Sequence, residues 1–150
     1  MEIKACQTTL VSGIGRSCEL ARTHFHSAMP GYIQSGEFYG VSYITGPSHV
    51  LLQVAFSAVP VSEPSLVALP AVSALPHAIL DPQQILSAVV NAAIATNAEL
   101  GTAFFPAVIR YVADDSPRYS LYGHCATLLV RRLASGELFQ SASTTVPAKE

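Results

Sequence analysis

Half of the 150 residues are hydrophobic and only 12% are charged, with a net charge of -2. This length suits a single domain. The small number of Lys and Arg residues argues against nucleic acid as a partner, because binding to phosphates requires several cations. The scarcity of charge also leaves apolar surface to be covered, which predicts a homo-oligomer; the alternative is a monomer surfaced by uncharged polar side chains.

The first half of the chain predicts a series of strands. Residues 2–11 alternate in hydropathy, and residues 17–26 indicate a second strand, with a short helix as the alternative. Met-Pro-Gly-Tyr at 29–32 predicts a turn, because proline restricts φ and glycine accepts a positive φ. Residues 36–45 and 48–59 are rich in aromatic and β-branched side chains on either side of a Gly-Pro pair, which predicts a β-hairpin.

Proline and capping signals organise the next part of the chain. Prolines recur between residues 60 and 80, which predicts an extended connection over the surface instead of a regular element. Asp81 as the cap, Pro82 at the first helical position and Gln84 as a capping-box partner then predict the start of a helix. Gly101 marks the end of that helix.

A strand and a second helix follow. Residues 103–113 predict a strand with Pro106 near its beginning, hence an edge or bulge position. Asp-Asp-Ser-Pro at 114–117 predicts the cap and start of a helix that ends at 135–136, and residues 138–139 indicate a last short strand. His124, in the middle of this helix with leucines at neighbouring positions, is predicted to be a buried core histidine.

This order of elements predicts an α+β fold. We expect a two-layer sandwich with a mostly antiparallel four- to five-stranded sheet and two helices on one face. Residues 1–140 are expected to form this single domain, and residues 141–150 a polar, flexible C-terminal tail.

The cellular compartment is predicted from the cysteines and the N-terminus. Cys6, Cys18 and Cys125 are widely spaced and form no CxxC pair, which indicates free buried thiols in a reducing environment. No secretory signal pattern begins the chain, and no apolar stretch reaches the length of a membrane span. The sequence therefore predicts a cytoplasmic protein without a membrane partner.

Four segments between residues 49 and 136 carry a resemblance to a known fold. They are HVLLQVAF, QQILSAVVNAAIATNAELGT, FFPAVIRYVADDSP and YSLYGHCATLLVRRLA. In order and spacing they resemble the fourth domain of elongation factor G, within the broader fold of the second domain of ribosomal protein S5. The resemblance implies that fold and a ribosomal partner. However, the chain has no GxxxxGK[ST] phosphate loop and no basic excess, so only the fold is carried over.

Two histidines two residues apart raise the possibility of a metal site. If residues 17–26 form a strand, His24 and His26 point to the same face, with Cβ atoms roughly 6–7 Å apart. A metal site also needs a third ligand, for which Glu37, His49 and His124 are candidates. None of them has a spacing that identifies it as a ligand, so the sequence predicts no metal and no cofactor. The alternative for both histidines is an exposed polar strand without function.

An acid–base site is the second interpretation of the same region. Strand alternation in EFYGVSY places Glu37, Tyr39 and Tyr43 on one face, beside His24 and His26 if the strands pair that way. Histidine exchanges protons near neutral pH, and a tyrosine hydroxyl donates to a developing oxyanion. These five residues are therefore the catalytic candidates for proton transfer on an apolar small molecule. The alternative is that both tyrosines only pack.

Three functions follow from these observations. One is a translation-associated domain that would bind the ribosome, which rests on the resemblance alone and is disfavoured by the acidic balance of charge. Two others rest on the residues themselves. The first is an oligomeric interaction module without chemistry, which predicts a flat sheet face and explains the low charge by contacts between subunits. The second is a cofactor-free isomerase, cyclase or lyase, which predicts that the five candidate residues converge in a concave, partly apolar pocket.

Overall fold

The computed structural model describes residues 29–45, 48–70, 80–113 and 118–142. Within these ranges the chain forms six strands and two helices, which confirms the predicted α+β class. In chain order they are β1 (Gly31–Ser35), β2 (Phe38–Thr45), β3 (Ser48–Ser57), β4 (Ser65–Leu69), α1 (Pro82–Leu100), β5 (Phe105–Val112), α2 (Tyr119–Ser135) and β6 (Gln140–Ser141).

The six strands form one mixed sheet in the order β4-β5-β3-β2-β1-β6. The pairs β1–β2, β2–β3 and β3–β5 are antiparallel, whereas β4–β5 and β1–β6 are parallel. The sheet is therefore mostly antiparallel, as predicted, but it has six strands where the sequence predicted four or five. The predicted strands at 2–11 and 17–26 lie outside the described residues.

The predicted turn at 29–32 is wrong in its second half, because β1 already begins at Gly31. Tyr32 pairs with Val41 and Ile33 with Gly40, and this antiparallel ladder extends the hairpin of β2 and β3 by one strand. The chain reverses at residues 36–37 instead, where Gly36 has a φ of 60°.

Strand β4 corrects the prediction of an extended connection at 60–80. Pro64 directly precedes the strand and Pro70 directly follows it, so the five residues between them keep their N–H donors. The strand lies at one edge of the sheet and pairs with β5 alone among the described strands. An edge strand needs hydrogen bonds on one side only, which suits a short segment between prolines.

Pro106 lies in β5, an interior strand, so the edge alternative was wrong and the bulge alternative is confirmed. The register between β3 and β5 shifts between Ala55 and Phe56, opposite Pro106. A bulge tolerates the missing donor of proline because it already interrupts the hydrogen-bond ladder.

Helix α1 begins and ends as predicted. The Asp81 carboxylate accepts a hydrogen bond from the Gln83 N–H at 2.9 Å, and Gly101 ends the helix with a φ of 67°. The capping box is incomplete, because the Gln84 side chain donates to the Asp81 carboxylate at 3.2 Å. The Asp81 N–H instead donates to the Tyr119 hydroxyl at 2.9 Å, which ties the start of α1 to the start of α2.

Helix α2 begins with Arg118 at the N-cap and without a side-chain cap, so the predicted cap-then-proline start is not the one observed. Residues 114–117 themselves lie outside the described residues. The predicted end is confirmed, because Gly136 follows the helix with a φ of 68°. The last strand covers residues 140–141, directly after the predicted residues 138–139.

Both helices pack on one face of the sheet, as the sandwich prediction required. The buried core joins side chains of β2, β3 and β5 to side chains of α1 and α2 and to Leu80, which lies just before α1. Its other members are Val41, Val50, Leu52, Val54, Ile85, Val89, Ile109, Tyr111, Tyr122, Cys125, Ala126 and Leu129. Cys125 is buried there, as predicted for it. The helices approach closely at Gly123, where an added Cβ would lie 3.2 Å from the Ala88 carbonyl oxygen.

Candidate functional site

The described candidates from the sequence lie at separate places along β2. Glu37 is exposed in the turn before the strand, whereas Tyr39 and Tyr43 lie on the helix-facing side with the buried Val41 between them. Four residues of strand separate the two tyrosines by about 13 Å. His24 and His26 lie outside the described residues. The structure therefore brings Tyr39 and Tyr43 to one face, as the alternation predicts, but to different neighbours.

Tyr39 belongs to an aromatic cluster. Its ring centroid lies 5.0 Å from that of Phe139 and 6.5 Å from that of Phe56. It also borders a cavity of about 260 Å³, whose other lining residues are Phe56, Ser57, Ala58, Ala103, Phe104 and Leu133. Tyr39 is the single titratable residue in this lining, so among the described residues no carboxylate or imidazole reaches the cavity.

Tyr43 packs against the ring of His124, with the two centroids 5.4 Å apart in an edge-on arrangement. His124 is exposed, so its prediction as a buried core histidine was wrong. The reason lies one residue earlier, where Gly123 faces helix α1 at the point of closest approach. Successive helical residues diverge by about 100°, which turns His124 away from α1 and toward solvent.

A larger groove of about 580 Å³ lies where α1 and α2 end beside β1, and we call it the helix-end groove. Its lining combines two guanidiniums, a phenol and a carboxylate with aliphatic and hydroxyl groups: Tyr32, Leu100, Thr102, Leu128, Arg131, Arg132, Ala134, Ser135 and Glu137. The lining of the groove comes from strand and helix ends that are far apart in the sequence, so no local sequence motif predicts it.

Arg132 anchors the segment that follows α2. Its Nε and Nη2 donate to the Leu138 carbonyl oxygen at 3.2 and 2.6 Å, and its Nη1 donates to the Glu137 carboxylate at 2.7 Å. The guanidinium carbon also lies 4.1 Å from the Tyr32 ring centroid and 5.5 Å from that of Phe139. These contacts hold residues 137–139 in place before β6 joins the sheet.

Tyr32 forms one wall of the helix-end groove. Burial raises the pKa of its hydroxyl above the ordinary value of 10.0, and the negative charge of Glu137 adds to the increase, while Arg132 opposes it. Tyr32 is therefore a neutral hydroxyl, able to donate, throughout the physiological pH range.

The opposite face of the sheet, which we call the outer sheet face, combines apolar and uncharged polar side chains and carries little charge. Alternate positions of β1 to β5 point away from the helices. Their apolar side chains are Ile33, Phe38, Ile44, Leu51, Ala55, Val67, Leu69, Val108 and Val112, of which Phe38, Ala55 and Val112 are buried, and their polar side chains are Ser35, Ser42, His49, Gln53, Ser65 and Arg110. Arg110 is the single Lys, Arg, Asp or Glu among the described positions of this face, and its guanidinium carbon lies 3.5 Å from the Phe38 ring centroid. No described helix covers this face.

Two further kinds of site were sought in the described ranges. No group of three or more His, Cys, Asp or Glu residues there is placed to hold a metal ion. Neither described helix combines the length and apolar character needed to cross a membrane.

Comparisons of the chain with protein-family models, with curated proteins and with solved structures gave no match.

Proposed function

We propose that this domain is an interaction module that assembles into a homo-oligomer through its outer sheet face. The observation that carries the proposal is the low charge of that face together with the exposure of two of its large apolar side chains. Ile44 and Val67 remain 63% and 41% exposed there. Large apolar side chains that stay exposed on a sheet face with one Lys, Arg, Asp or Glu among its described positions support an interaction surface.

A second copy of the chain is the partner that the chemistry of this face favours. A charged partner would find one cation there, and that cation is already stacked on Phe38. A second copy brings the same apolar surface, which makes the contact self-complementary around a two-fold axis.

The size of the face also suits such a contact. Five strands spaced by about 4.8 Å, each roughly 23 Å long on average, present about 550 Å² in projection. One partner buries about 800 Å² of accessible surface in an interface of standard size. The flat projection underestimates accessible surface, so the two areas are of the same order.

The mass in solution tests this proposal. In sedimentation equilibrium, we expect the wild-type chain to be a dimer or larger, and Ile44→Lys and Val67→Lys to shift the mass toward the monomer. Ile94→Lys is the matched control, because Ile94 is 51% exposed on helix α1 and away from the sheet. A monomeric wild-type chain, or equal effects of all three variants, would contradict the proposal.

The alternative, a cofactor-free isomerase, cyclase or lyase, receives less support from the geometry. The cavity beside Tyr39 has that tyrosine as its single titratable lining residue. Glu37 and Tyr43 lie elsewhere on the same hairpin. Acid–base catalysis needs donor and acceptor within reach of one substrate, so we propose the interaction module in preference to the enzyme.

The finer fold and the compartment are proposals too. We infer a fold like the second domain of ribosomal protein S5 from the succession of antiparallel strands, helix, strand and helix in residues 31–135. We infer a cytoplasmic location from the wide spacing of Cys6, Cys18 and Cys125, which form no CxxC pair. An experimental structure and fractionation of cells producing the chain test them.

A further inference from the structure

The helix-end groove contains a guanidinium whose hydrogen-bonding capacity is only partly used. Arg131 reaches both carboxylate oxygens of Glu99 through Nη2 alone, at 2.8 and 2.9 Å. Its Nη1 and Nε donate to no described residue. A guanidinium carries five N–H donors in a planar fork that suits two-point binding of carboxylate or phosphate. Arg131 therefore keeps a free donor edge, and half of its side chain is exposed.

The neighbouring Arg132 differs, because all three of its nitrogens donate to Leu138 and Glu137. It neutralises the Glu137 carboxylate in the groove wall, so that this carboxylate repels an incoming anion less. The partner of Arg131 is weaker, since Glu99 is 58% exposed and exposed ion pairs contribute little. An anion entering the groove therefore meets Arg132, whose three nitrogens already donate hydrogen bonds, and Arg131, which has N–H groups left to donate.

The hydroxyl groups of the groove differ in the same way. The Thr102 hydroxyl donates to the Asn97 side-chain oxygen at 2.9 Å, and the Ser135 hydroxyl donates within its own helix end. The Tyr32 hydroxyl donates to no described residue, and its raised pKa keeps the proton on it. Tyr32 is therefore the hydroxyl donor that a ligand finds, while Leu100 and Leu128 supply apolar walls.

The ends of two helices oppose an anion here, because a helix C-terminus carries partial negative charge. The closing glycines reduce this effect. The Gly101 N–H donates to the Asn97 carbonyl oxygen, and the Gly136 N–H donates to the carbonyl oxygens of Arg132 and Leu133. The positive charge of Arg132 in the last turn of α2 offsets the remaining partial charge.

We propose that the helix-end groove binds a small organic anion with an apolar body. The anionic group would take the free donor edge of Arg131, and the body would lie against Leu100 and Leu128. This inference is independent of the oligomer, because the groove and the outer sheet face lie on opposite sides of the sheet.

An NMR titration of the full chain tests the proposal. The probes are 3-phenylpropanoate, phenyl phosphate and, as the uncharged control, 3-phenylpropanamide. We expect one or both anions, and not the amide, to shift resonances of Tyr32, Leu100 and Leu128. The anion that binds more tightly identifies the class as carboxylate or phosphate. Shifts spread over the surface, or equal binding of the amide, would overturn the proposal.

Variants of the ion pair separate this account from a general charge effect. Arg131→Gln should weaken binding by at least about tenfold, because it removes hydrogen bonds to a charged group. Arg118→Gln is the matched control, since it removes the same charge from an exposed residue outside the groove. Glu99→Gln should tighten binding about twofold to fivefold by releasing Nη2.

The opposite result for either variant would overturn the proposal. If Arg131→Gln and Arg118→Gln weaken binding equally, the free donor edge is not the binding group. If Glu99→Gln weakens binding, the carboxylate organises Arg131 and does not compete for it, and the proposal fails. Each variant changes exposed side chains, and its circular dichroism spectrum shows whether the fold is kept.

Discussion

Asn97 is the polar residue whose loss should cost the fold most among those described. It is 5% exposed in the last turn of α1 and makes three hydrogen bonds to the loop before β5. Its Nδ2 donates to the Phe104 carbonyl oxygen at 2.9 Å, and its Oδ1 accepts from the Thr102 hydroxyl at 2.9 Å and the Phe104 N–H at 3.1 Å. The residue therefore fixes the path of the chain from the helix into the sheet.

The expected magnitude follows from these bonds. Each contributes about 1 kcal/mol net, so Asn97→Ala should lower the free energy of unfolding by about 3 kcal/mol. The better helix propensity of alanine offsets at most about 0.7 kcal/mol of this loss of stability. With a urea dependence of about 2 kcal/mol per molar, the unfolding midpoint should fall by roughly 1–1.5 M.

Urea unfolding followed by circular dichroism measures this shift. Asn91→Ala is the control, because Asn91 is exposed in the same helix and its replacement should be neutral or slightly stabilising. Asn97→Asp keeps the acceptor and loses the donor, so its effect should also be destabilising. The reasoning is refuted if Asn97→Ala lies within about 0.5 kcal/mol of Asn91→Ala, which is the usual range for surface substitutions.

Three further outcomes are expected. Gly123→Val should lower the stability of the fold by about 1–3 kcal/mol in thermal unfolding, because a Cβ there would lie 3.2 Å from the Ala88 carbonyl oxygen. An unchanged melting temperature would show that the helices move apart freely. Arg132→Leu should speed amide hydrogen exchange in residues 137–142, since it removes both bonds to the Leu138 carbonyl; unchanged exchange would contradict the anchoring role. Stability should fall as the pH rises above about 10, because the Tyr32 hydroxyl ionises in the unfolded chain before it ionises in the folded one. Unfolding between about pH 9 and about pH 11 measures this loss, which should be smaller in Tyr32→Phe; equal slopes would refute it.

The helices show which signals the sequence carries well. The start and end of α1 follow from Asp81, Pro82 and Gly101, whose effects are local and act through their own backbone. Strand β4 was missed for the opposite reason. Its prolines lie outside its five residues, and its pairing with β5 depends on a segment more than thirty residues away in the sequence. The composition of a short stretch of sequence does not show which distant strand it will pair with.

The candidate sites show the same division. Alternation along β2 correctly placed Tyr39 and Tyr43 on one face, because side-chain direction is local in a strand. Which elements a given face packs against is decided by tertiary structure. The sequence did not show which face of α2 packs against α1, so the exposure of His124 was predicted wrongly. The helix-end groove was missed because Tyr32 and Arg131 come from opposite ends of the described chain.

The position of β5 in the sheet has a consequence for the growing chain. Strand β5 lies between β3 and β4, although both of them precede it in the sequence. Until residues 105–112 emerge from the ribosome, β4 has no described partner and β3 pairs with β2 alone. At about 5–20 residues per second, the interval from Ser57 to Phe105 lasts roughly 2–10 s. For that time the nascent polypeptide carries an open edge at β3, and an open strand edge favours pairing with another chain.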